Sequence, residues 1–379
     1  MALPPPRAGQ RVEVLRRPVP FSMWPSRPGR RHHALQSLLF ARDPWLVIGQ
    51  RVNADCPKPR RAEALACLEQ ARDFFQAGTN AGMMAAKPLA LYYSFMNLVK
   101  VYCLTRGTRA TFDLATHGLT QQLLPGGREF TGAFVRAFPS APAAAANNFD
   151  EFMQVLTGTG LGANTDYQLP VLVPQIVPGH RFWAQATERT ERFIALHDIA
   201  FMYDNANQTM WLNLFVVADD LSRLGVTQAR LLNESRLAGH FSAVACAQQV
   251  GGRPLLCFQQ VATHNCPGGY PADHFQSVVS AVRHLLWVTV ATVTPYRRYY
   301  VYLAPTAEHP FVLPQLLSIY ALVYYFGSIT RYRPHQYDAI ASGPFGPWVQ
   351  EFINGQPLQF LYLMASQFAE QDVTRPSIL

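Results

Sequence analysis

The chain has 379 residues, 49% of them hydrophobic, and a formal net charge of +8. That length and composition give it enough apolar side chain for a sizeable core and exclude a disordered polymer. No apolar run reaches the 18 or so residues that a bilayer-spanning helix needs, and the start lacks a secretory apolar region, so a soluble, cytoplasmic protein is expected.

The charge is unevenly placed. Residues 1–61 hold 12 Lys and Arg against 3 Asp and Glu, whereas the remainder is nearly neutral with 20 against 21. The pI therefore describes a Pro/Arg-rich arm, residues 1–59, containing Arg16-Arg17 and Arg30-Arg31-His32-His33. Such an arm is either a solvated leader or a dock for phosphates or an acidic protein partner. Because it holds few apolar side chains, the part before about residue 44 is expected to be dispensable for folding. Leu35, Leu38 and Leu39 read as a short helix or a strap.

From Arg60 to Gln76 the pattern is helical, with Ala64, Leu65, Leu68, Ala71, Phe74 and Phe75 on one face and Glu63, Glu69, Gln70 and Asp73 opposite. The next stretch, Pro88 to Leu104, is apolar nearly all round: Leu91, Phe95, Leu98 and Tyr102 cover one side, Leu89, Met96 and Leu104 much of the other. Such a helix belongs in a core. Along it Tyr93, Asn97 and Lys100 form one polar stripe at i, i+4 and i+7. The stripe is a ligand-binding candidate; the plainer reading is that Lys100 interacts with the carbonyls at the helix end.

Residues 105–147 read as loops and short helices, and Asn148 to Leu156 as a helix. Thr157-Gly158-Thr159-Gly160-Leu161-Gly162 follows a helix rather than a strand, so it reads as a helix cap and turn and not as a phosphate loop. Residues 165–183, with three prolines, look extended, and Glu188 to Tyr203 looks helical. Met210 to Ala218 reads as a strand. A hairpin around Gly251-Gly252 would set Cys246 opposite Cys257. Helices are expected at Gln228–Ser235 and Phe275–Leu286, and a strand at Arg298–Ala304. The end is helical again, at Leu313–Thr330 and Pro357–Ala369. Tyr324, Ser328 and Arg331 repeat the spacing of the first stripe, and with Arg333 they complete the candidate set.

The fold class expected is α+β, predominantly α. A helical domain is built from residues 60–164 and 306–379, with a mixed α/β region, 165–305, inserted between. The six cysteines contain no C-x-x-C pair and are expected to be free thiols. Lys87-Pro88-Leu89, Leu91-Tyr92-Tyr93, Asn97-Leu98 and Lys100, followed by His117-Gly118-Leu119 and Arg331-Tyr332-Arg333-Pro334, resemble the YaaC-like bacterial proteins in motif and in order. The resemblance covers about residues 60–119 and 309–370; an aromatic expected just after the proline stands here at Tyr337. It implies a bacterial, soluble, mostly helical protein and brings no reaction to transfer.

Three other constellations carry chemistry in principle. Arg331 and His335 approach the R-x4-6-H signature of HEPN ribonucleases, but the spacing is one residue short and Pro334 intervenes. Asp219-Asp220 after a strand suits a metal, or more simply a helix start. His264, Cys266 and His274 form a soft-ligand cluster whose spacing fits no standard zinc module. No cofactor is expected. The readings carried forward are a binding protein for a phosphate-bearing nucleotide or nucleic acid at Tyr93, Asn97, Lys100, Ser328, Arg331 and Arg333; a non-catalytic interaction protein docking through its basic arm; and a HEPN-like ribonuclease.

Overall fold

The computed structural model describes residues 3–14, 16–24, 38–123, 130–141, 145–177, 179–268, 270–293, 298–304 and 312–375. The fold is predominantly helical, with helical stretches on both sides in sequence of a mixed α/β region. By contacts it separates into two compact units. One comprises residues 42–189 and 313–369, the other 1–41, 190–312 and 370–379.

In the helical unit the apolar stretch forms the helix Lys87–Arg106. Pro88 sits in its first turn, where the absent N–H costs nothing, and Leu91, Phe95, Leu98, Tyr102 and Leu104 are all buried. It packs against Lys58–Asn80, Gln315–Tyr332, Asn148–Thr157 and Pro44–Asp55. Two glycines set the spacing: a Cβ on Gly78 would lie 2.8 Å from Leu91 Cγ, and one on Gly327 would lie 3.0 Å from Tyr92 Cβ and 3.2 Å from Pro88 O. Phe95 stacks on Phe360 of the last helix at 3.9 Å between centroids.

Several local expectations are corrected. Residues 105–147 contain strands, Leu119–Leu123 and Ala133–Ala137, which join Thr165–Gln168 in a three-stranded antiparallel sheet within the helical unit. Residues 165–183 are not extended throughout, because Pro170 and Pro174 start short helical turns, Leu169–Leu172 and Val173–Gln175, as proline does well at a first turn. The last helix begins at Gly346 and runs through Pro357 to Ala369. Gln315–Tyr332 continues past Thr330. Arg333 then leaves helical geometry at φ −144°, as a residue before proline must, and Pro334 opens a further helix to Ser342.

The mixed unit centres on an antiparallel sheet in the order Gln10–Arg11, Asp198–Asp204, Thr209–Val217, Arg253–Gln260, Phe241–Val244. The stretch expected as a helix, 188–203, instead holds the strand Phe193–Ala195 and most of the strand Asp198–Asp204: Ile199, Phe201 and Tyr203 face the main core while Ala200 and Met202 pack on the other face. A strand apolar on both faces carries no clear period, so its pattern resembles a buried helix. Opposite Cys257 stands Val244 rather than Cys246, because the pairing shifts between Val244 and Gln249; both thiols are free. Phe275–Thr289 covers the main core with Phe275, Val278, Val279, Val282 and Leu286.

The basic leader does not stand apart as a unit. Pro44–Asp55 is a helix of the helical unit, capped by Asp43, whose side chain accepts from Trp45 N. In the mixed unit Val12, Phe21 and Met23 are core residues, Gln10 pairs with Tyr203, and Leu38–Phe40 is a strand parallel to Asp372–Thr374. Arg30-Arg31-His32-His33 and Leu35 lie outside the described residues.

Candidate functional site

The seam between Lys87–Arg106 and Gln315–Tyr332 holds most of the candidate residues. The two helices run antiparallel: Gly327 lies against Pro88 and Leu89, while Tyr320 faces Tyr92 and bears electrostatically on Cys103. The matched stripes therefore do not bring their cations side by side at two C-terminal ends. Lys100 and Arg331 instead approach from opposite ends, and each bears electrostatically on His117, whose pKa both lower.

His117 is the residue the sequence reading left out of the site. It is exposed, and its ring sits by Tyr92 at 5.4 Å and Tyr324 at 6.0 Å between centroids. Nδ1 shares a 2.7 Å hydrogen bond with Tyr92 Oη. Nε2 has no hydrogen-bond partner among the described residues. Gly118 places it: at φ +69° it adopts the left-handed conformation that glycine takes at little cost, and a Cβ there would lie 2.7 Å from Asn147 Cβ. Partial burial, then Lys100, then Arg331 pull the imidazole pKa below its ordinary value, so the neutral ring dominates at pH 7. Tyr92 is held well above the ordinary tyrosine range by burial and by neighbouring hydroxyls, so it stays a phenol. The signal in the sequence was His117-Gly118-Leu119, one of the motifs that carry the family resemblance, in a stretch that reads as loop.

Each predicted residue has a definite place. Tyr93 Oη accepts from Arg331 Nη1 at 3.1 Å, with Phe74 stacked on its ring. Asn97 is 3% exposed and donates to Gln70 Oε1 at 2.7 Å, tying two helices together. Lys100 is half-buried and within electrostatic reach of Cys67 as well as His117. Ser328 lies by Tyr324, whose hydroxyl donates to Leu119 O at 2.7 Å. Arg331 lies over the ring of Tyr332 at 4.9 Å. Arg333 is exposed at the helix junction, near Tyr325. Tyr93, Lys100, Ser328 and Arg331 thus surround the His117–Tyr324 corner, whereas Asn97 is engaged with the neighbouring helix. Among the described residues no carboxylate pairs with Lys100 or Arg331.

The other constellations are explained locally. In the glycine loop, Leu161 N donates to Asp150 Oδ1 and Ser140 N to Asp150 Oδ2, both at 2.6 Å. A buried carboxylate thus already takes one of the loop's donors, and ties the loop to Ser140. Cys266 Sγ donates to its neighbour's carbonyl, His264 O; His264 meets Gln260, and His274 meets Pro267 O. No group of three metal-ligating residues occurs among the described residues. Asp219 and Asp220 lie in the first turn of Ala218–Arg223, where carboxylates suit the helix dipole. Asp220 also lines a cleft of about 610 Å³ in the mixed unit, with Phe21, His197, Asp198, Arg253 and Tyr299. His335 is exposed just beyond the helix break that follows Arg331. In the basic leader, Arg7 bonds Gln260 O and Val261 O and lies over Trp211, and Arg11 pairs with Asp198 at 2.5 Å.

No helix among the described residues is long and apolar enough to cross a membrane. Residues 30–368 match the model of the family described as YaaC-like Protein. No curated protein and no solved structure matches the chain.

Proposed function

This chain belongs to the YaaC-like family, a family that brings no known reaction, and from its own residues we propose that it binds a phosphate-bearing nucleotide or nucleic acid at the Lys87–Arg106 and Gln315–Tyr332 seam. The observation that carries this reading is the charge balance there. Lys100 and Arg331 both bear on His117, and neither has a carboxylate partner among the described residues. Two positive charges that bear on one imidazole make a field that an anion bound by it would neutralise.

The two cations would act differently. Arg331, oriented by Tyr93 and resting on Tyr332, suits bidentate contact with a phosphate, whereas Lys100 supplies a point charge. Ser328 and Tyr93 add polar contacts, Arg333 widens the positive field, and Asn97 contributes by holding the helix that carries Lys100. The test is titration of the purified protein with labelled nucleotides and short oligonucleotides, followed by fluorescence anisotropy. Arg331→Lys is expected to weaken binding although the charge is kept, and Lys100→Met to remove most of it with the melting temperature held. Affinity that is the same in parent and Lys100→Met would end this reading. For an oligonucleotide, affinity should fall as salt rises, since each phosphate contact releases counterions.

A further inference from the structure

Resting on that anion-binding reading, we infer that the ligand is single-stranded RNA and that His117 is a catalytic residue which takes the proton of a ribose 2′-hydroxyl, so that the chain cuts the adjoining phosphodiester. The inference rests on what gathers about His117: two cations that bear on its ring, an imidazole whose Nδ1 is engaged by Tyr92 while Nε2 has no hydrogen-bond partner among the described residues, and, against one of those cations, an exposed aromatic. Tyr332 is 64% exposed, far more than a tyrosine needs for its hydroxyl alone, and Arg331 backs its ring. An exposed ring adjoining phosphate-binding cations is the usual platform on which an unpaired base stacks. RNA supplies all three counterparts within one nucleotide: a flat base, a phosphate and, beside that phosphate, a hydroxyl.

The step uses the tautomer in which Nδ1–H donates across the 2.7 Å bond to Tyr92 Oη, one of the two directions that bond allows; Nε2 then presents a lone pair, and Tyr92, kept a phenol, fixes the ring without taking a proton. The lowered pKa of His117 keeps that lone pair available at neutral pH. In the step, the 2′ oxygen bonds to phosphorus as its proton passes to Nε2. The bond from phosphorus to the 5′ oxygen breaks, and that oxygen takes a proton from solvent, to which the imidazolium returns one. Lys100 and Arg331 hold the non-bridging oxygens, where charge builds. The products are a 2′,3′-cyclic phosphate and a free 5′-hydroxyl, and no co-reactant is consumed. This assignment uses His117 and not His335, which lies on the far side of the helix break from Arg331.

The experiment uses the full chain and a short single-stranded RNA labelled at one end, beside the same sequence as DNA. Binding is read by anisotropy, and cleavage by gel with analysis of the new ends. The expected result is that both are bound and only RNA is cut, leaving cyclic phosphate. His117→Ala and His117→Gln should lower the cleavage rate roughly 100-fold or more, the usual scale for a general base, with Kd within a few-fold and melting temperature near the parent's. Tyr332→Ala should raise the Kd for RNA, and an unchanged Kd would remove the stacking contact. RNA that is bound in a Lys100-dependent way but stays intact would overturn the cleavage inference and leave the anion reading standing. Cleavage that persists in both His117 variants would overturn it too, as a contaminant or another residue would be responsible. Failure to bind RNA at all, with nucleotides still bound, would overturn the RNA assignment alone; failure to bind either would remove both.

Discussion

His117 shows how a small difference in surroundings decides the role of a side chain. A solvated imidazole is half protonated near its ordinary pKa of 6.5, whereas one partly desolvated between two tyrosines and faced by two cations holds its proton less well. Its NMR titration midpoint is therefore expected below 6.5. Lys100→Met should raise that midpoint, because removal of a positive neighbour relieves the protonated form, while partial burial of the ring remains and keeps it below the free value. A midpoint at or above 6.5 in the parent would contradict the arrangement. The linkage has a fixed sign. Between the folded and unfolded pKa values the unfolded chain binds more protons, so this group's contribution is complete above about pH 6.5 and is lost as pH falls through the folded pKa. Asn97 belongs at this scale as well. Its bond to Gln70 is an ordinary neutral one, so Asn97→Ala is expected to cost about 1 kcal/mol by denaturant unfolding, with ligand affinity barely changed if the residue only ties helices. A large loss of affinity at unchanged stability would place it in the binding contact instead.

At the scale of elements, the central helix was legible because its signal is strong and local: an apolar surface on nearly every side, proline in the first turn and glycine just past the end. Partnership between helices was less so. The repeated Tyr, small polar, cation spacing was real on both helices, but spacing says nothing of direction, and the antiparallel packing changed what the spacing meant. Short strands such as Leu119–Leu123 were missed because five residues with a mixed pattern carry little information beside a long helix. The Asp198–Asp204 strand was missed for the opposite reason, being apolar on both faces. What a sequence does show, without saying why, is glycine inside a helix. Gly327 allows Gln315–Tyr332 to approach Pro88 and Tyr92 closely. Gly327→Val gains about half a kcal/mol of helix propensity but places two methyl groups where a Cβ already meets backbone oxygen and Tyr92, so a net loss of about 1–3 kcal/mol is expected. Gly162→Val, where a Cβ would meet nothing within 4 Å, serves as the control and should change stability little. Equal melts for both variants would show that the seam is looser than its geometry.

At the scale of the whole molecule, a predominantly helical fold with a mixed α/β region between helical stretches in sequence could be anticipated from where strand-like and helix-like patterns fall, and membership in the YaaC-like family agrees with the motifs that carried the resemblance. The leader was misjudged because composition averages over residues that do different work. Among many prolines and arginines, a handful of apolar side chains is easily discounted, yet Val12, Phe21 and Met23 are each at most 6% exposed. Phe21 meets Phe201 and Tyr299 with ring centroids at 6.0 and 5.5 Å, Val12 N donates to Phe201 O, and a Cβ on Gly9 would lie 2.4 Å from the Trp211 ring. Burying a large apolar side chain is worth about 1.5–3 kcal/mol, so three together amount to a large part of the roughly 5–15 kcal/mol that separates a folded domain from its unfolded chain. Deletion of residues 1–24 is therefore expected to unfold the mixed unit or lower its melting temperature strongly, and Phe21→Ala alone to cost about 3–5 kcal/mol. Calorimetry of the full chain and the truncation is the measurement. Removal of a merely solvated arm would leave the transitions where they were, and that outcome would return the leader to the role its composition first indicated.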